Sequence, residues 1–140
     1  MRIAVIDGQG GGIGKVIIEK LRINFGNNNK ILALGTNAVA VSLMIKAGAD
    51  EGASGENAII FNASKVDFIM GSVAIVAPHA MLGEFTPRMA EAIALSSAKK
   101  VLLPVNRCGL YIAGTKKEPL LTYIDDAIDL LKELSTSESL

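Results

Sequence analysis

The chain has 140 residues, half of them hydrophobic and a fifth charged, with a formal net charge of zero. That is one domain's worth of chain with enough apolar material for a sizeable core. Without a basic excess, and with few aromatic residues, it lacks the composition of a nucleic-acid binder.

One cysteine, Cys108, and one histidine, His79, allow neither a disulfide framework nor a zinc constellation, so no metal is expected. The apolar run Ile3–Ile6 is too short for a signal peptide and ends in Asp7. The longest apolar run, Phe68 to Leu82, is shorter than a membrane span and carries Pro78 and His79. A cytoplasmic protein with no membrane partner is the expectation. The mean hydropathy of +0.40 is high for a soluble monomer, which predicts a homo-oligomer.

The first element is a strand over Ile3–Ile6, closed by Asp7. The glycine-dense stretch Gly8-Gln9-Gly10-Gly11-Gly12-Ile13-Gly14 follows, and Lys15 to Leu21 is apolar at helical spacing. Asn27-Asn28-Asn29 marks a turn before a second strand over Lys30–Leu34. Thr36 or Asn37 caps a helix running through Val39, Leu43 and Met44, and Gly48 stops it. Asp50–Ala53 reads as a very short third strand, and Ser54 as the N-cap of a helix over Glu56–Lys65. Phe68–Val76 reads as one buried strand. Thr86 and Pro87 start a helix running towards Lys99, since Thr caps and Pro suits the first turn. Val101–Val105 is the next strand, with Pro104 marking an edge or an end. Leu110–Ala113 is a candidate short strand. Pro119 opens a last helix through Leu120, Ile124, Ile128 and Leu131.

Strands alternating with helices imply an α/β fold, a Rossmann-like, doubly wound and mostly parallel sheet with helices on both faces. Residues 1–134 form its single domain and residues 135–140 a frayed tail. Parallel strands put all their carboxyl ends along one edge, where ligands of such sheets bind. That edge gathers Asp7 to Gly14, Gly35-Thr36-Asn37, Ser54 to Asn57, Pro78-His79, Gly83-Glu84 and Asn106-Arg107-Cys108.

The glycine loop is the richest part of the edge. A strand–glycine–helix junction lets backbone N–H groups approach a phosphate, and the helix start adds partial positive charge. The dinucleotide pattern G-x-G-x-x-G fails, because residue 13 is Ile. Gly8, Gly12 and Gly14 instead fit G-x3-G-x-G, which with Ile13 resembles the cofactor loop of the short-chain dehydrogenases. That resemblance implies loop geometry alone. The Tyr-x3-Lys pair of that family is missing, since Tyr111 is followed by Thr115 and Tyr123 by Ala127 at that offset. The ATPase phosphate loop fails too, with Gln9 and Val16 at the positions for Gly and Ser/Thr. Asp7 either caps the loop's own N–H groups, the preferred reading, or binds a ribose or Mg²⁺. The second strand ends without the acid that meets an NAD ribose; Thr36 or Asn37 could bond a ribose weakly.

The cofactor-binding candidates are therefore Asp7, Gly8, Gly10, Gly12, Gly14, Thr36 and Asn37. The ligand is a small phosphorylated molecule, with a nucleotide or dinucleotide as the cofactor class left open. The alternative is a small enzyme. His79 or Arg107 would lower the pKa of the Cys108 thiol, and Arg107 would hold a phosphate or carboxylate. Glu84 reads as a solvated residue or a general base.

Three stretches together resemble a family of short bacterial proteins classed only as a domain of unknown function. They are Asp7 to Gly14, Gly52-Ala53-Ser54-Gly55-Glu56-Asn57-Ala58 and Pro104-Val105-Asn106-Arg107-Cys108-Gly109. The resemblance spans nearly the full length. It implies a bacterial Rossmann-like protein and supplies no activity and no catalytic residue.

Overall fold

A computed structural model gives the structure of residues 1–105 and 108–138. Five strands, β1 (Arg2–Asp7), β2 (Lys30–Gly35), β3 (Glu51–Ser54), β4 (Phe68–Ser72) and β5 (Lys99–Leu103), form one sheet in the order β3-β2-β1-β4-β5. Every pairing is parallel. Five helices alternate with them: α1 (Gly12–Phe25), α2 (Ala38–Lys46), α3 (Glu56–Ala63), α4 (Pro87–Leu95) and α5 (Leu120–Glu138). This is the doubly wound α/β fold that the sequence predicts.

Alternation along β1 explains the layers. Ile3 and Val5 face one core, packed with Ile17, Ile18 and Leu21 of α1, Met44 of α2, and Ile124, Ile128 and Leu131 of α5. Ala4 and Ile6 face the other, with Ile59 of α3, Phe85, and Met89 and Ile93 of α4. Both faces of β1 are covered, so the strand is an unbroken apolar run, as a central parallel strand requires. The strand order reverses between β1 and β4. Ligands of open parallel sheets bind outside the carboxyl ends at such a reversal, and the glycine loop leaves β1 beside it.

Several boundaries differ from the sequence expectation, each for a local reason. β4 stops at Ser72, and Val73–Val76 is a short 3₁₀ helix. The Ser72 hydroxyl accepts the N–H of Ala74 at 3.0 Å and turns the chain out of the sheet. The apolar character of 73–76 reflects burial of Ala74 and Ile75, not strand pairing. α3 is capped by Gly55, because Ser54 is still paired to Gly35 in β3, and it ends at Ala63. α4 ends at Leu95, and β5 starts at Lys99. Leu110–Ala113 forms no strand. Pro104 follows the end of an edge strand. α5 continues through Glu138, past the start of the expected tail. Among the described residues, no helix is long and apolar enough to cross a membrane.

Candidate ligand-binding site

Asp7 ends β1 and is 4 % exposed. Its Oδ1 accepts the N–H of Gly8 at 2.8 Å, and its Oδ2 accepts that of Gly14 at 2.7 Å. Gly14 lies in the first turn of α1, so the Asp7 carboxylate closes both the loop and the helix start. Burial pushes the Asp7 pKa up from the ordinary aspartate value. The N–H groups of Gly14, Gly8 and Ile13 pull it back, and the nearby charge of Glu84 adds to the rise. Capping of the loop's own donors is therefore the arrangement present.

The loop glycines divide into two kinds. A Cβ on Gly14 would lie 2.4 Å from Met44 Sδ, and one on Gly8 would lie 2.8 Å from Thr36 Oγ1. Gly11 has φ +76°, and a Cβ there would come within 2.8 Å of the Ala40 backbone. Backbone conformation and packing dictate Gly11, whereas at Gly8 and Gly14 neighbouring side chains would have to shift. Gly10 and Gly12 have no positive φ, and a Cβ on either would meet nothing within 4 Å. Neither is required by the chain around it. Gly10 also borders a groove of about 270 Å³ lined by Val39, Ser42, Leu43 and Lys46 of α2.

Thr36 and Asn37 join the loop from β2. Asn37 caps α2, its Oδ1 accepting the N–H of Ala40 at 2.9 Å, and its Nδ2 donates to the Gln9 carbonyl at 3.0 Å. Both residues also hold Glu84, whose Oε1 accepts the Thr36 hydroxyl at 2.6 Å and the Asn37 amide at 3.1 Å. The same oxygen accepts the N–H of Gln9 at 2.8 Å. These donors, the Thr36 hydroxyl first, hold the Glu84 pKa below the ordinary glutamate value.

Glu84 arrives on the segment between the 3₁₀ helix and α4. His79, Met81 and Leu82 there have φ between 57° and 64°, and Gly83 has φ 89°. The His79 N–H donates to the Phe85 carbonyl at 2.7 Å, and buried Phe85 and Ala80 anchor the loop base. From the sequence, Glu84 reads as a solvated group or a base. Its place on the carboxyl edge was legible, but its contact with Gln9, 75 residues away, has no local signature.

Asp7, Gly8, Gly10, Gly12, Gly14, Thr36 and Asn37 thus come together at the carboxyl ends of β1 and β2. His79 and Cys108 are exposed, each at positive φ, and Cys108 follows β5 on the periphery. Arg107 lies outside the described residues. No group of His, Cys, Asp and Glu suited to hold a metal occurs among the described residues. A cleft of about 360 Å³ lies elsewhere, between β5 and α5. There the Tyr123 hydroxyl is already engaged with the Lys116 carbonyl and the Glu118 N–H.

Residues 2–136 match the family described as a domain of unknown function (DUF3842), and the chain belongs to that family. No curated protein and no solved structure gives a match.

Proposed function

We propose that the chain binds a nucleotide or other small phosphorylated ligand, with the phosphate over Gly10 and Gly12. The observation that carries this reading is the openness of those two glycines. A Cβ at Gly8, Gly11 or Gly14 would crowd the chain itself, whereas one at Gly10 or Gly12 would meet nothing, so an external group accounts for bare glycines there. The groove beside Gly10 adds an ammonium from Lys46 and a hydroxyl from Ser42, both suited to a phosphate.

Electrostatics limits where the phosphate goes. A free carboxylate about 6 Å from a phosphate charge costs about 3 kcal/mol at an effective dielectric near 20. A helix N-terminus returns only about 0.3–1 kcal/mol, or ~2 when partly buried. Asp7 already takes the Gly8 and Gly14 donors, so the phosphate belongs on the outer side of the loop, towards Lys46.

The test is a thermal-shift comparison of the wild type and Gly12→Val with inorganic pyrophosphate and ribonucleoside diphosphates. A ligand at 100 times its Kd adds ~2.7 kcal/mol of stability. The wild type should shift and the variant, whose folding is checked by circular dichroism, should not. Equal shifts in both proteins, or none in the wild type, overturn the reading.

A further inference from the structure

β2 ends in Gly35-Thr36-Asn37 with no acid of its own, yet a carboxylate stands there. Glu84 brings it from the far side of the strand-order reversal. Three donors from two separate loops fix one oxygen, Oε1: the Thr36 hydroxyl, the Gln9 N–H and the Asn37 amide. Among the described residues, no hydrogen bond is made to the other oxygen, Oε2. The side chain is half-buried, so that oxygen keeps its acceptor capacity beside the glycine loop.

The segment that delivers Glu84 is costly. Three non-glycine residues within four positions, His79, Met81 and Leu82, are left-handed. Such strain persists only where the surroundings hold it, and it concentrates at ligand clamps. Holding the loop together needs a single accepting oxygen, and Oε1 does that alone. A fixed carboxylate beside a phosphate loop has one familiar use: its remaining lone pairs accept the hydroxyls of a ribose, and its charge turns away a phosphate at the same carbon.

We infer that Glu84 is the specificity-determining residue of the site, accepting the ribose hydroxyls of a ribonucleotide whose phosphates lie over Gly10 and Gly12. The inference rests on the phosphorylated-ligand reading and narrows it to ribonucleotides with a free 2′-hydroxyl. Asp7 does not compete for the role, because both its oxygens are taken by loop N–H groups.

The experiment is calorimetry on the full chain. ADP, GDP, CDP and UDP are each compared with the 2′-deoxy counterpart, and inorganic pyrophosphate serves as the ligand without a sugar. In the wild type at least one ribonucleotide should bind about tenfold or more tightly than its deoxy form, the worth of one charge-assisted hydrogen bond. In Glu84→Gln, whose folding is checked by circular dichroism, that ratio should fall towards one, while pyrophosphate binding persists. Ribo and deoxy forms binding the wild type equally would overturn the ribose inference and leave phosphate binding standing. So would a ratio unchanged in a folded Glu84→Gln. Failure of every diphosphate and of pyrophosphate to bind would overturn both readings together.

Discussion

The two ends of the same sheet edge are built differently. At the β1/β2 end, residues from three distant segments converge on the glycine loop, and two carboxylates hold its donors. At the β5 end, the strand lies at the sheet's margin, and Cys108, Leu110, Tyr111 and Ile112 beyond it are exposed. Both positions follow strand carboxyl ends, so sequence logic sets both on the same edge, with the glycine loop the richer of the two. Strand order separates them: β1 is central and flanked on both sides, whereas β5 has a neighbour on one side only. A carboxyl-edge position becomes a built site where several loops meet, not merely where a strand ends.

Changes at the first end should therefore be expensive, beginning with Gly11→Ala. Its φ of +76° and the 2.8 Å approach to the Ala40 backbone cannot both be relieved by a side-chain rotation. Left-handed strain of about 1–2 kcal/mol adds to overpacking of about 1–3 kcal/mol, so a loss of about 3 kcal/mol is expected in urea melts. A loss below about 1 kcal/mol would mean that α1 and α2 are not held together at this point.

The two carboxylates should respond to pH with opposite sign. Asp7 has a raised folded pKa, so the folded state binds its proton more tightly. Its contribution to stability falls as pH rises from the unfolded value, 3.8, through the folded one. Glu84 has a lowered folded pKa. Its contribution is complete above the unfolded value, 4.5, and is lost as pH falls through the folded one. Stability curves over about pH 3 to 7 for Asp7→Asn and Glu84→Gln, each subtracted from wild type, should slope in opposite directions. Parallel difference curves would break the assignment of Asp7 as the buried cap and Glu84 as the pinned surface charge.

Within the loop the comparison sharpens further. Gly12→Ala adds a methyl group to open space at the start of α1 and restricts the unfolded chain. It should stabilise the ligand-free protein by about 0.4–1 kcal/mol. The same change should weaken ligand binding if the phosphate lies there. Destabilisation would show that the space at Gly12 is needed by the chain itself, which would remove the main support for a bound phosphate.

Much of this was legible in the sequence, and the parts that were not share a cause. β1, the glycine loop and α1 are local features of the first 25 residues, with periodicity and glycine spacing to announce them. The Asp7 cap follows from an acid placed just before a turn. The end of β4 is not legible because apolar residues 73–76 look alike in a strand and in a buried 3₁₀ turn, and only the Ser72 hydroxyl distinguishes them. The sequence puts Glu84 on the carboxyl edge but does not show the donors that hold it. Its partners are 47 to 75 residues away, and they are brought together by a crossover that no short pattern encodes.

Cys108 gives the smallest expected effect and the cleanest contrast. It is the chain's only thiol, and sequence logic sets it beside Arg107 as a candidate nucleophile. In the structure its side chain is exposed on the marginal end of the edge, where Cys108→Ser removes no core packing and leaves φ +50° as it was. Surface changes of this kind stay within about 0.5 kcal/mol, so melting should be unchanged within error. Binding of pyrophosphate and ribonucleotides should also be unchanged, because the proposed site lies across the sheet at Gly10 and Gly12. The outcome that would reverse the comparison is loss of ligand binding in a Cys108→Ser variant that melts like the wild type. The β5 end would then be part of the working site, and the closed network around the glycine loop would be its scaffold.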